Sequence, residues 1–273
     1  MREDGSATYY EYDAIHQLTA ETQLDDQGEP EYTFEYEYDG ARNRTVKVED
    51  GTVTYYTYNA ANQLETETVG EETTYYHYDG CGNTTAKQET AGTTYFVHDT
   101  ENLLTRIDFG DDTHNYFSYD ADSKRVSGRT SEGYREYVYQ GPDMLKLQME
   151  RDEGGDTIAQ YTMADGLEAM RRDDASSFYH YNHLGTTLAL TGADQAVTDT
   201  WRHDAWGVEL HRTGTTVNPH TYVGEERYYR MADAGLFHLG FRDYAQQLGR
   251  FGVRDPGAVG GRTISAWVAA LAF

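Results

Sequence analysis

His180 and His183 stand three residues apart, a spacing that on a helix would offer two imidazoles to one metal ion. They sit instead in a strand–turn setting, His180 between Tyr179 and Tyr181 and His183 opening His183-Leu184-Gly185. Side chains alternate across a strand, so the two rings are expected to part and to line the sheet as polar residues. Asp25-Asp26, Asp111-Asp112 and Asp120 with Asp122 bring carboxylates together in a way that invites calcium. None lies in a D-x-[DN]-x-[DN]-G loop closed by a bidentate Glu, and solvated turns account for them. Ser, His and Asp occur without a G-x-S-x-G elbow, and no Gly-rich phosphate loop is present, so nucleophilic and phosphate chemistry lack support. Cys81 is the single cysteine, which excludes an intrachain disulfide and a multi-cysteine zinc site. No metal and no cofactor is expected. The chain also holds 25 tyrosines. Equally spaced on successive strands, they would serve either as stacking platforms for carbohydrate or as the cross-strand aromatic pairs of a sheet core, and the second is the simpler reading.

The spacing of those tyrosines is a repeat. YEYDAIHQL, YEYDGARNR, YTYNAANQL, YHYDGCGNT, FVHDTENLL, FSYDADSKR and YVYQGPDML end their strand portions at Tyr12, Tyr38, Tyr58, Tyr78, His98, Tyr119 and Tyr139. The steps between them are 26, 20, 20, 20, 21 and 20 residues, the first lengthened by a polar turn around Asp25 to Pro30. Within a unit, Tyr56 and Tyr58 share one face of a strand and Tyr55 and Thr57 the other. Asp13, Asp39, Asn59, Asp79, Asp99 and Asp120 follow, where a short carboxylate or amide accepts bonds from backbone N–H groups two residues on. Three residues later come His16, Arg42, Asn62, Gly82, Asn102 and Ser123, where a left-handed backbone is expected in several units. Leu18, Leu64 and Leu104 share a later offset and should carry the return strand into the core. One such hairpin cannot bury its face alone, so the units must stack.

From 151 to 177 the period blurs, and an irregular charged connection with one short strand near Tyr161 is expected. Strands resume at Tyr179–Tyr181 and Thr186–Leu190, with a reversal at Gly192 to Gln195. The final GAVGGRTISAWVAALAF is Gly-rich and then apolar, too short for the roughly 20 residues of a membrane span. Acidic residues number 47 against 22 basic, a formal charge of −25. That field repels phosphate backbones and anionic membranes, so no nucleic-acid partner is expected. Only Lys47, Lys87, Lys124 and Lys146 are lysines, a balance that suits either a salt-rich milieu or an ordinary acidic surface. Met1 to Tyr10 lacks the basic and apolar regions of a signal peptide.

These YxYD phrases resemble YD repeats. YHYNHLGTTLALT, WRHDAWGVEL, NPHTYVGEERYYRMADAGLFHLGFRDYAQQLGRF and GVRDP resemble, in order, the RHS-associated core domain. The resemblance to the RHS/YD-repeat family implies an all-β fold, stacked hairpins forming a spiralling, curved sheet that is part of a shell. It implies a YD-repeat array over 1–150, the irregular connection over 151–177, a core domain over 178–261 and a short apolar tail over 262–273 without a toxin domain. The implied role is structural: a shell fragment from an Rhs-type polymorphic toxin or related secreted protein, whose partner is an enclosed toxin or effector polypeptide or further RHS repeats. Secretion or surface display by a non-classical route follows from the same likeness. In toxin-carrying relatives the core ends in a self-cleaving RDPxGL segment with a catalytic Asp. Arg254-Asp255-Pro256 match that motif here, making Asp255 and Arg254 the candidate site, whereas Gly257-Ala258-Val259 departs from it as if one position were deleted. Asp233 and Asp243 are nearby carboxylates in sequence. Two other readings remain: a cell-surface repeat module binding carbohydrate or a protein receptor, and a truncated remnant.

Overall fold

The computed structural model describes residues 6–141 and 146–253. They divide into two compact units, one running up to Thr94 and the other starting at Tyr95. In the first, β1 (Ala7–Tyr12), β2 (Leu18–Leu24), β3 (Pro30–Tyr38), β4 (Arg44–Glu49), β5 (Thr52–Tyr58), β6 (Leu64–Val69), β7 (Glu72–Tyr78) and β8 (Thr84–Glu89) form an antiparallel meander, each strand paired with the next. β9 (Gly92–His98) carries the chain across the division. The second unit continues with β10 (Leu104–Asp108), β11 (His114–Tyr119), β12 (Arg125–Thr130), β13 (Gly133–Tyr139), β14 (Leu147–Arg151), β15 (Thr157–Met163), β16 (Leu167–Arg172), β17 (Ala175–Tyr181), β18 (Thr187–Thr191), β19 (Val197–His203) and β20 (Glu209–Thr213). Each again pairs antiparallel with its successor. The expected all-β class of stacked hairpins is the observed one.

The turn that ends each repeat phrase forms as its residues dictate. In the Asp39 turn, one carboxylate oxygen accepts the N–H of Ala41 at 2.8 Å and of Asn43 at 2.9 Å, while Arg42 takes φ 67°. The same pair of bonds recurs at Asp13, Asn59, Asp79, Asp99 and Asp120. His16, Asn62, Gly82, Asn102 and Ser123 all have positive φ, as their place three residues on requires. The bonds to the carboxylate hold the pKa of Asp13 and Asp39 below the ordinary value, through Gln17 and Asn43 respectively. Several even-numbered strands, β4 and β16 among them, return through tighter links such as Asp50-Gly51 and Asp173-Asp174, with φ positive at both residues of each.

Alternation places Phe34, Tyr36, Tyr56 and Tyr76 on the buried face, together with Leu18 and Leu64, the aliphatic positions expected in the core. Leu104 is buried likewise in the second unit. The last tyrosine of a phrase has a second duty: its hydroxyl donates to the carbonyl that opens the preceding strand. Tyr38 reaches Leu18, Tyr58 reaches Arg44 and Tyr119 reaches Leu104, each at 2.7 Å. Each bond fastens one hairpin to the hairpin before it.

The irregular connection expected over 151–177 is corrected by β15, β16 and the start of β17. Asp152 builds the same turn, accepting from Gly154 and Asp156 at 2.9 Å each. Met163 replaces the terminal tyrosine and charged residues fill the links, which hides the phrase. Ladder pairing needs only the alternation of buried positions, which Ala159, Tyr161, Leu167 and Met170 preserve as part of one core cluster. Residue 178 falls within β17, so the ladder passes through the expected domain boundary without a break.

After β20 the chain leaves the ladder. A second antiparallel sheet, β21 (Tyr229–Met231), β22 (Leu236–Leu239), β23 (Arg242–Ala245) and β24 (Arg250–Phe251), folds back as a cap on the ladder's buried face within the second unit. Met231 and Leu236 join Leu104, Ile107 and Phe117 in one cluster. The Tyr229 ring meets Tyr137 at 5.4 Å, and His220 meets Tyr161 at 5.0 Å, both edge to face. Gly207, at φ 93°, lies so close to the Tyr222 ring that an added Cβ would fall within 2.6 Å.

Candidate functional site

Arg125 opens β12 at the offset where Leu18, Leu64 and Leu104 open their strands, so a guanidinium occupies a core aliphatic place. It lies 4.0 Å from the Phe117 ring centroid and 5.5 Å from that of Tyr119. β23 of the cap brings Asp243 opposite it. Arg125 Nη2 donates to the two carboxylate oxygens at 3.1 and 3.4 Å and to the Tyr119 hydroxyl at 2.8 Å. His238 Nδ1 donates to the same carboxylate at 2.9 Å. Burial pushes the Asp243 carboxyl up, but Arg125 and then His238 outweigh it and hold the pKa at about 2. Burial and Arg125 push His238 down, so the ring is neutral and its contact with Asp243 is a hydrogen bond. Desolvation offsets much of the attraction in such a pair, which joins the cap to the ladder without being strong evidence of net stabilisation.

A second buried centre lies further along the same face. Glu150 of β14 is fully buried; the Tyr161 hydroxyl donates to it, Arg172 Nη2 donates at 3.1 Å, and Arg135 Nε lies 3.6 Å away. Burial, then Glu150, drives the Tyr161 phenol well above its ordinary pKa. The Tyr179 hydroxyl donates to Asn218 Oδ1 at 2.9 Å, and that oxygen also accepts the His220 N–H at 2.9 Å. Burial lowers the His220 pKa to about 3, so this ring too is neutral, with Nδ1 3.2 Å from the Tyr228 carbonyl. Neither His220 nor His238 is hydrogen-bonded to a hydroxyl or thiol nucleophile. Among the described residues these contacts fasten and orient the cap, and neither histidine is set against a nucleophile.

Arg254 and Asp255 lie outside the described residues. Of the two carboxylates near them in sequence, Asp243 is engaged as above. Asp233 accepts from Asn115 Nδ2 at 3.1 Å and from the Ser131 N–H and hydroxyl at 3.2 and 3.0 Å, tying the cap to the ladder. His180 and His183 are not brought together: His180 Nε2 is 3.0 Å from Thr191 Oγ1, and His183 is exposed in the Asn182 turn. Asp25, Asp111 and Asp120 use their carboxylates on backbone N–H groups of their own turns. Among the described residues no group of three or more His, Cys, Asp or Glu could hold a metal ion. Sequence reasoning missed Arg125, Glu150, Arg172 and His220. The leucine offset could have exposed Arg125, and likewise Arg44, which lies 4.8 Å from the Tyr56 ring; a buried Glu leaves no such trace.

Fold and site together define an antiparallel β-hairpin repeat chain whose following segment caps its own buried face. No family model matches the chain. It is 28% identical over 145 residues to the tRNA3(Ser)-specific nuclease WapA of Bacillus spizizenii, covering 51% of this chain and 6% of that protein. The tRNA nuclease WapA of Bacillus subtilis strain 168 is similar to the same extent. This chain thus spans a small part of the length of the curated relatives it matches. Among solved structures, the TcdB2–TccC3–TEV protein superposes on 94% of this chain and 17% of its own, at TM-score 0.47 and 14% identity. The Photorhabdus luminescens Tc holotoxin pore does so on 94% and 17%, at TM-score 0.46 and 14% identity.

Proposed function

We propose that this chain is a structural segment of an RHS/YD-repeat protein, part of a curved β-shell that holds a C-terminal effector polypeptide on its inner face. The observation that carries this reading is the cap: the ladder's buried face already receives the chain's own following segment, pinned by Arg125–Asp243 and by Asp233. An antiparallel sheet with one packed and one solvated face is compatible with a wall that holds polypeptide on its inner side. The similarity to WapA nucleases supports a toxin-related context, in which nuclease action belongs to those relatives and the role here is containment. Secretion or surface display fits that context; among the described residues no helix is long and apolar enough to cross a membrane. The test is protease protection of the full-length product isolated from its source. A C-terminal effector that resists protease until the β-array is unfolded is the expected result, and an effector digested freely from intact protein would overturn the reading.

One observation favours a second reading, a surface module that binds carbohydrate. Tyr55 and Tyr75 of the first unit are 56% and 48% exposed at equivalent repeat positions, and Tyr95 and Tyr116 of the second are 54% and 46% exposed. Affinity electrophoresis against polysaccharides would favour it if retardation is lost in Tyr55→Ala and Tyr75→Ala.

A further inference from the structure

The second unit contains a cavity of about 150 Å³ lined by Arg135, Arg172, Arg212, Arg230 and Glu150, with Asn218 and Pro219 of the cap segment among its walls. Four guanidiniums around one cavity stand out in a chain of net charge −25. Their charges are only partly answered. Arg135 and Arg172 share the single carboxylate of Glu150, whose oxygens also receive the Tyr161 hydroxyl. Arg230 pairs with Glu209 at 3.2 Å. Arg212 has no carboxylate partner among the described residues: its Nη2 donates to the Thr216 carbonyl at 2.6 Å and its guanidinium lies 5.4 Å from the Trp201 ring. Glu132 is the remaining acidic residue on the wall and is exposed.

Arg172 Nε and Arg212 Nε are both buried and make no hydrogen bond among the described residues. Both Nε atoms are closed off from solvent, so a guest in the cavity would meet the terminal Nη groups of these side chains. Guanidinium edges match the two coplanar oxygens of a carboxylate, and the contact is charge-assisted. Volume sets the size of the guest, because a cavity of about 150 Å³ holds a group the size of a benzene ring. An acidic side chain fits within it.

We propose that this cavity binds the side-chain carboxylate of an acidic residue in a polypeptide held against the ladder's buried face. The proposal rests on the containment reading for the source of the peptide, but the site itself stands on the cavity and its arginines. The experiment is isothermal titration of the purified chain with N-acetyl-glutamate amide, with N-acetyl-glutamine amide and with inorganic phosphate. Saturable binding of the glutamate compound, with the glutamine compound at least tenfold weaker, is the expected result. In Arg212→Met, which keeps the packing on Trp201 and removes the charge, affinity should fall at least tenfold while the thermal transition remains. Arg212→Lys, with the charge but not the planar edge, should lie between the two. Equal binding of both amides, binding of phosphate alone, or unchanged affinity in a folded Arg212→Met protein would each overturn the proposal. These outcomes are read without any effector present, so a failure here is separable from a failure of protease protection.

Discussion

At His220 the buried imidazole stays neutral down to about pH 3, because burial disfavours the charged ring. In the unfolded chain the same ring takes up a proton near pH 6.5, about the free value. The unfolded state therefore binds more protons across this window, and stability from this group is complete above pH 6.5 and falls as pH drops toward 3. The slope reaches about 1.4 kcal/mol per pH unit for one proton. Urea unfolding at pH 7 and pH 5 should show this loss in the parent and a flatter response in His220→Gln; an identical slope in both would place the titration elsewhere. Asp243 acts lower: its depressed pKa gives stability that is present above the unfolded value near 4 and is lost as pH falls through about 2. Asp255 is addressed by intact mass. With Gly257-Ala258-Val259 departing from the cleavage motif, the parent and Asp255→Asn are both expected at full length, and a fragment in the parent alone would assign self-cleavage to Asp255.

The hairpin is the unit at the next scale, and its two kinds of turn respond differently to substitution. Asp79 accepts the N–H groups of Cys81 and Asn83 at 2.9 Å each, so Asp79→Ala should lower the unfolding free energy by about 1 kcal/mol. Asp79→Asn should keep most of it, since Asn59 builds the same turn with its amide oxygen. Chemical denaturation of the pair checks both. Asp173-Asp174 is the opposite case. Both residues have positive φ, and the ion pair of Asp174 with Arg171 is too exposed to offset the strain. Asp174→Gly should raise stability by about 1 kcal/mol, read from the shift in denaturation midpoint.

For the molecule as a whole, the consequence lies at the sheet edges. Among the described residues β1 has one strand partner, β2, along a register from Ala7↔Leu24 to Tyr12↔Leu18. Along its other edge no further strand pairs with it among the described residues, and Tyr9 and Tyr12 are exposed there. Such an edge pairs with another chain unless charge or bulk blunts it. The isolated chain is expected to associate edge to edge, giving a light-scattering mass that grows with concentration; a strictly monomeric mass at all concentrations would rule this out.

The repeat, its turns and its class were legible in the sequence because they are local. An aspartate reaches backbone N–H groups two and four residues away, and alternation sorts the tyrosines of a single strand. Where Met163 displaced the tyrosine and charges crowded the links, the phrase vanished although the ladder continued, since pairing needs buried positions and not particular residues. The site was not legible, because its residues meet only through strand pairing across the ladder and, after β20, when the chain folds back. Arg125 and Asp243 are 118 residues apart along the chain, and Tyr179 and Asn218 are 39 apart. Spacing along a strand says which face a residue takes. Only the tertiary structure decides what lies across from it, and therefore whether a buried Arg or Glu finds its counter-charge and whether a histidine stays neutral.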